Sequence, residues 1–111
     1  MIEDVPAYLV LRPVEYAEFP FWGPPGIGWF GDEFEDYAGL GMSRELFDDL
    51  ASWDAEFQSW TTTDDRRASL AANPRIRLGL RKRGELLHRR VVDEIGESIE
   101  VRLDLSAIDG G

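Results

Sequence analysis

Few side chains in this 111-residue chain are equipped to make or break a covalent bond. Cysteine is absent and histidine occurs once, so thiolate chemistry, a disulfide framework and the usual zinc ligand sets are out of reach. The lone histidine, His88, stands between Leu87 and Arg89 with no nucleophile in view to activate, which favours a structural or merely exposed role. Carboxylates are plentiful and come in adjacent pairs: Asp32/Glu33, Glu35/Asp36, Asp48/Asp49, Asp64/Asp65 and Asp93/Glu94. Neighbours in sequence do not supply two carboxyls facing each other across a cleft, as glycosidase chemistry requires. Nor does Asp32–Asp36 have the spaced ligands and closing glutamate of a calcium loop. Gly23–Gly28 looks like a phosphate loop only in its glycines, for it lacks the Gly-Lys-Ser/Thr ending and is followed by acids. We therefore expect no enzyme, with no catalytic residue, no metal and no cofactor.

What remains is recognition, and two surfaces compete for it. In residues 17–42, the rings of Phe21, Trp22, Trp29, Phe30 and Tyr37 lie beside Asp32, Glu33, Glu35 and Asp36. Aromatic side chains anchor interfaces, and acids steer a basic partner and hasten association. The expected partner-binding residues are thus Trp22, Trp29, Phe30, Asp32, Glu33, Glu35, Asp36 and Tyr37, with Asp48 and Asp49 of the helix that follows. Against this, the same rings could simply seal a core beneath a loop.

The second surface is a run of Arg75, Arg77, Arg81, Lys82, Arg83, Arg89 and Arg90, the kind of cluster that contacts nucleic-acid phosphates. The net charge of −10 opposes a polyanion, so nucleic acid is the lesser reading. The charge is strongly divided: residues 1–65 carry fifteen acids against Arg12 and Arg44, and residues 66–92 carry nine bases against Glu85. These cations could equally pair with acids of a neighbouring helix.

The elements that must position these residues follow from periodicity. Residues 7–16 are rich in β-branched and aromatic types and read as a strand, with Pro13 at an edge or end. Residues 17–42 hold too many Gly and Pro for a long regular element and form a long loop. Ser43 caps a helix whose apolar residues Leu46, Leu50, Trp53, Phe57 and Trp60 recur at spacings of 4, 3, 4 and 3, ending at threonines 61–63. Pro74 opens a second, basic helix over 75–95, with Ile76, Leu80, Leu87, Val91 and Ile95 on one face. Gly84 shares that face and allows close approach, and Gly96 is expected as a left-handed stop. Ile99, Val101, Leu103 and Leu105 alternate with polar residues as a half-buried strand over 98–105. The expectation is one α+β domain, 1–111: a small sheet of the N- and C-terminal strands packed on two main helices, with a long aromatic, Gly- and Pro-rich loop.

At 43% apolar with thirteen aromatic residues, the chain has the material for a single core. Glu3 and Asp4 are the wrong sign for a secretory signal and no run is long enough to span a membrane, so a cytoplasmic, non-membrane protein is expected. A single lysine against eleven arginines hints at a GC-rich source.

Three pieces then carry a family likeness: Trp22-Gly23-Pro24, the helix with Ser43, Glu45, Leu46, Leu50, Trp53, Glu56 and Phe57, and the stretch from Leu86 to Gly96 followed by Ile99-Glu100-Val101. They touch about half the chain, which resembles the small acidic immunity-type proteins found beside polymorphic toxins in actinobacteria. The basic run 75–83 is denser than that pattern. The resemblance implies tight, non-catalytic inhibition of a cognate toxin or other basic protein through acidic surface residues, covering its active site. The alternative is a nucleic-acid or regulatory module using helix 75–90; a small enzyme with a carboxylate base comes third.

Overall fold

The computed structural model describes residues 7–24, 28, 30–62 and 69–109. Strand β1 (Tyr8–Leu11) is the middle of a three-stranded sheet. Its pleat sends Leu9 and Leu11 into the core and leaves Tyr8 and Val10 half-covered on the other face. Strand β2 (Phe21–Trp22) pairs antiparallel along one edge of β1, with Leu11 opposite Phe21 and Val10 opposite Trp22. Strand β3 (Glu100–Leu103) runs parallel along the other edge, from Tyr8 opposite Glu100 to Leu11 opposite Leu103. Parallel neighbours need a crossover. Helices α2 (Arg44–Thr61) and α3 (Pro74–Ile95) supply it, preceded by a short α1 (Phe34–Ala38) and followed by a short α4 (Ser106–Asp109). The architecture is the expected α+β arrangement of terminal strands on two main helices.

The strands are shorter than their composition suggests. Pairing ends near Leu11 because Pro13 has no N–H for a ladder, and on the β2 side Arg12 still donates its N–H to the Pro20 carbonyl at 2.7 Å but Pro20 has no N–H to return. At the other end Ile99 still belongs to the turn leaving α3, its N–H bonded to the Ile95 carbonyl, and Leu105 already leads α4. The expected long loop is also more structured than its Gly and Pro content implies, since it contains β2 and α1.

Helix α2 starts as expected: the Ser43 hydroxyl accepts the Leu46 N–H at 3.1 Å. It ends where Thr61 and Thr62 turn their hydroxyls back onto the carbonyls of Phe57 and Gln58. Leu46, Leu50, Trp53 and Phe57 are buried, and Leu80, Leu87, Val91 and Ile95 of α3 meet them, with Val101 buried and Leu103 partly buried on β3. Gly84 does permit a close approach, but by a ring: a Cβ there would lie 2.7 Å from Cζ2 of Trp53, whose indole N–H donates to the Leu80 carbonyl at 2.9 Å. Gly96 is not left-handed. Its φ of −62° continues the right-handed turn, its N–H reaches the Val92 carbonyl, and a further turn through Ser98 leads into β3.

Candidate functional site

Beside its core stripe, α2 presents a second one, Phe47, Ala51, Asp54 and Gln58, again at spacings of 4, 3 and 4. This stripe meets the segment that precedes α2 in sequence. At one end Phe47 stacks on Phe19 at 4.8 Å and receives the edge of Phe34 at 5.5 Å. At the other, Gln58 grips the turn 14–17: its Nε2 donates to the carbonyls of Val14 (2.9 Å) and Ala17 (3.1 Å), and its Oε1 accepts the Tyr16 N–H (2.9 Å). Asp54, 3% exposed, sits behind Gln58, and burial pushes its carboxyl up to about 6 despite the opposing hydrogen bond from Gln58. The described residues between 14 and 37 thus lie as a ledge along one side of α2.

Helix α1 has five residues, too few to stand alone, and its acids Glu35 and Asp36 suit the positive end of its dipole. Packing holds it. Tyr37 is fully buried among Phe19, Phe21 and Phe30, with ring centroids 5.2–5.3 Å away, and its hydroxyl donates to the Gly31 carbonyl at 2.5 Å. Burial first, and then the charges of Asp36 and Asp32, hold this phenol far above its ordinary range, so it remains a donor.

The expected partner-binding residues are therefore divided. Asp32 and Glu33 just before α1, and Glu35 and Asp36 within it, are all exposed, with Phe30 half-covered nearby in sequence. Tyr37 offers no surface and acts as the buried support of this edge. Trp22 follows Phe21 on β2 and so projects from the opposite side of the strand, where Arg12 lies 4.9 Å over its ring and the Arg12 carbonyl accepts its indole N–H. Trp29 lies outside the described residues. Asp48 stays near α1 through Arg44, which pairs with it at 3.2 Å and covers the rings of Phe34 and Phe47. Asp49 points away, to Arg90 of α3 at 2.7 Å.

Residues that composition did not single out complete the ledge. Glu18 meets Asp32 in a carboxyl–carboxyl hydrogen bond, and that bond, followed by the Asp32 charge, raises the Glu18 carboxyl above the usual range. Glu15 and Tyr16 are exposed on the gripped turn. A signal for the grip was present in α2: Asp54 and Gln58 are polar, four residues apart, and each directly follows a core aromatic.

The basic helix turns much of its charge inward. Arg83 pairs with Glu56 and Arg90 with Asp49, each at 2.7 Å across to α2, while Arg81 meets both Glu85 and Asp109. Arg75, Lys82 and Arg89 make no ion pair among the described residues. A surface cleft of about 520 Å³ opens between the helices, lined by Trp53, Leu86, Leu87, Arg83 and Arg89. His88 is structural: its Nε2–H donates to the Val101 carbonyl at 2.9 Å, tying α3 to β3. Among the described residues no helix is long and apolar enough to cross a membrane, and no group of three or more acids or histidines is gathered for a metal ion.

One family model, described as Serratia CdiI immunity protein-like, matches residues 11–104, from the last residue of β1 to the residue after β3. The match spans both long helices and the whole ledge. No curated protein matches the chain.

Proposed function

The chain belongs to the Serratia CdiI immunity protein-like family, and we propose that it is an immunity protein that neutralises a cognate toxin by non-catalytic binding, its acidic ledge covering a basic active site. The family match carries the reading, and the ledge gives it a surface. Asp32, Glu33, Glu35 and Asp36 are exposed on an element fixed by packed rings, so a partner meets a preorganised negative face. A partner's guanidinium or ammonium set between Glu18 and Asp32 would relieve the repulsion that raises the Glu18 carboxyl. Phe30 and Asp48 border this face. The arginine-rich composition fits a source among the actinobacterial polymorphic toxin systems, with the chain acting in the cytosol of the cell that makes the toxin.

The test is to coexpress the chain with the toxin domain encoded beside it and to measure growth rescue and binding. Parent chain should rescue growth. Asp32→Asn with Glu35→Gln should slow association at low salt by about tenfold and leave dissociation nearly unchanged, because exposed charges act mainly on encounter. Unrelieved toxicity would overturn the reading, and unchanged association would move the contact elsewhere. The nucleic-acid alternative retains Arg75, Lys82 and Arg89, which make no ion pair among the described residues. It would be favoured only by specific binding well tighter than the ~10⁻⁴–10⁻⁶ M of nonspecific contacts.

A further inference from the structure

Tyr16 has a φ of 67°, and among the described residues no other non-glycine residue has a positive φ. A bulky residue in the left-handed region is strained, and glycine or asparagine adopts it at little cost. The strained residue is also the most exposed large apolar side chain described, at 78%. Its conformation is held from below: Gln58 makes three hydrogen bonds to the turn, and the Ala17 N–H closes it on the Val14 carbonyl. A turn needing only this backbone shape would be served better by glycine, and the core gains nothing from a ring that lies outside it. The ring is therefore what the turn displays. Glu15 flanks it, and two residues on Glu18 joins Asp32, so it stands at one end of the acidic ledge.

We infer that Tyr16 is the aromatic anchor of the toxin-binding face, presented by a turn that Gln58 locks, and that its occupant is a cationic, partly apolar surface of the toxin. This rests on the function proposed above. Tyrosine is a favoured anchor because it carries a large contact area on few rotatable bonds, and its face attracts guanidinium and ammonium groups. Locking the turn beforehand removes an ordering cost from binding.

Tyr16→Gly separates anchor from fold, because it relieves the left-handed strain while deleting the ring. The variant should melt no more than about 2 °C below the parent, yet release the toxin domain encoded beside the chain at least about thirtyfold faster. Tyr16→Phe should stay within about threefold of the parent. Nitration by tetranitromethane with mass spectrometry gives a readout on the unaltered chain: Tyr16 should react when free and be protected in the complex, while Tyr37 is buried in both. Parent-like binding by Tyr16→Gly, or equal nitration of Tyr16 with and without toxin, overturns the inference and leaves the immunity function standing. A parent chain that binds no toxin overturns both. Should Tyr16→Gly fail to fold, the protection experiment alone decides.

Discussion

Two glycines in one helix should respond to alanine with opposite signs. Gly79 and Gly84 both lie inside α3, where alanine is favoured over glycine by about 1 kcal/mol. A Cβ at Gly79 meets nothing within 4 Å, so Gly79→Ala should collect that gain and raise the melting temperature by about 4 °C. At Gly84 the new carbon would stand 2.7 Å from Cζ2 of Trp53 and 3.2 Å from Cδ2 of Leu105, against the 3.5–4.0 Å or so of an ordinary carbon contact. The indole cannot swing aside freely, because it is 2% exposed and bonded to the Leu80 carbonyl. Overpacking of this kind costs about 1–3 kcal/mol, and tilting the ring would sacrifice a buried hydrogen bond worth about 1 kcal/mol more. After the propensity gain, Gly84→Ala should be less stable than the parent by about 2 kcal/mol. Urea unfolding followed by circular dichroism and tryptophan fluorescence would measure it, with unchanged slope if only the native state is strained. Trp53→Phe removes the offending atom, so the double variant should be more stable than the two single costs added together, by about 1 kcal/mol. If Gly84→Ala proved as stable as Gly79→Ala, the close packing of α2 on α3 at this point would be refuted.

The buried carboxyl of Asp54 makes stability depend on pH. Its value rises from 3.8 to about 6 on folding, so the native state holds the proton more tightly; that advantage is complete below pH 4 and is lost as pH rises through 6. Asp54→Asn should be close to the parent at pH 4 and more stable by up to about 3 kcal/mol at pH 7; equal differences at both pH values would contradict the burial argument. His88→Ala should cost about 1–2 kcal/mol by stranding the Val101 carbonyl, while leaving toxin neutralisation intact. Loss of neutralisation in a folded His88→Ala chain would show that the histidine does more than join α3 to β3.

What could be read from the sequence was what repeats. The stripes of α2 and α3 extend over several turns each, and Ser43 announces its cap locally, so both helices and most of the core were visible without a structure. Strand β2 has two residues and α1 five, too few to establish any period inside a loop full of Gly and Pro. The candidate site suffered for the same reason. Tyr37 and Phe30 look alike in composition, and which is buried depends on Phe19, Phe21 and Phe47 arriving from other parts of the chain. Asp48 and Asp49 adjoin in sequence, yet one helical step of about 100° sends one to Arg44 beside α1 and the other to Arg90. Gly96 misled because glycine after a helix usually reverses the chain, whereas here the chain continues through another right-handed turn.

The uneven charge of the sequence acquires a physical sense once the two helices are packed. Exposed ion pairs add little to stability, about 0–1 kcal/mol each, so the contacts of Arg83 with Glu56 and Arg90 with Asp49 do not explain why the fold holds together. Their larger effect is on the field outside. Acids on the α3 side of α2 are matched by arginines, and Asp109 and Glu85 are matched by Arg81. On the other side of α2, no cation among the described residues pairs with Glu15, Glu18, Asp32, Glu33, Glu35 or Asp36, while Arg44 is spent on Asp48 and on the rings beneath it. Internal pairing thus leaves the six acids of the ledge their full charge, as it does Glu45, Asp93, Glu94 and Glu97 elsewhere, and on the ledge neighbouring unpaired acids reinforce one another within a Debye length of about 8 Å. If that is how the charge is used, neutralising Arg83 and Arg90 together (Arg83→Gln, Arg90→Gln), a change of two charges, should hardly quicken association with a basic toxin, since the change lies on the far side of α2. The same two charges removed from the ledge should slow it measurably. Equal effects at both places would mean that net charge alone, and not its placement, governs the encounter.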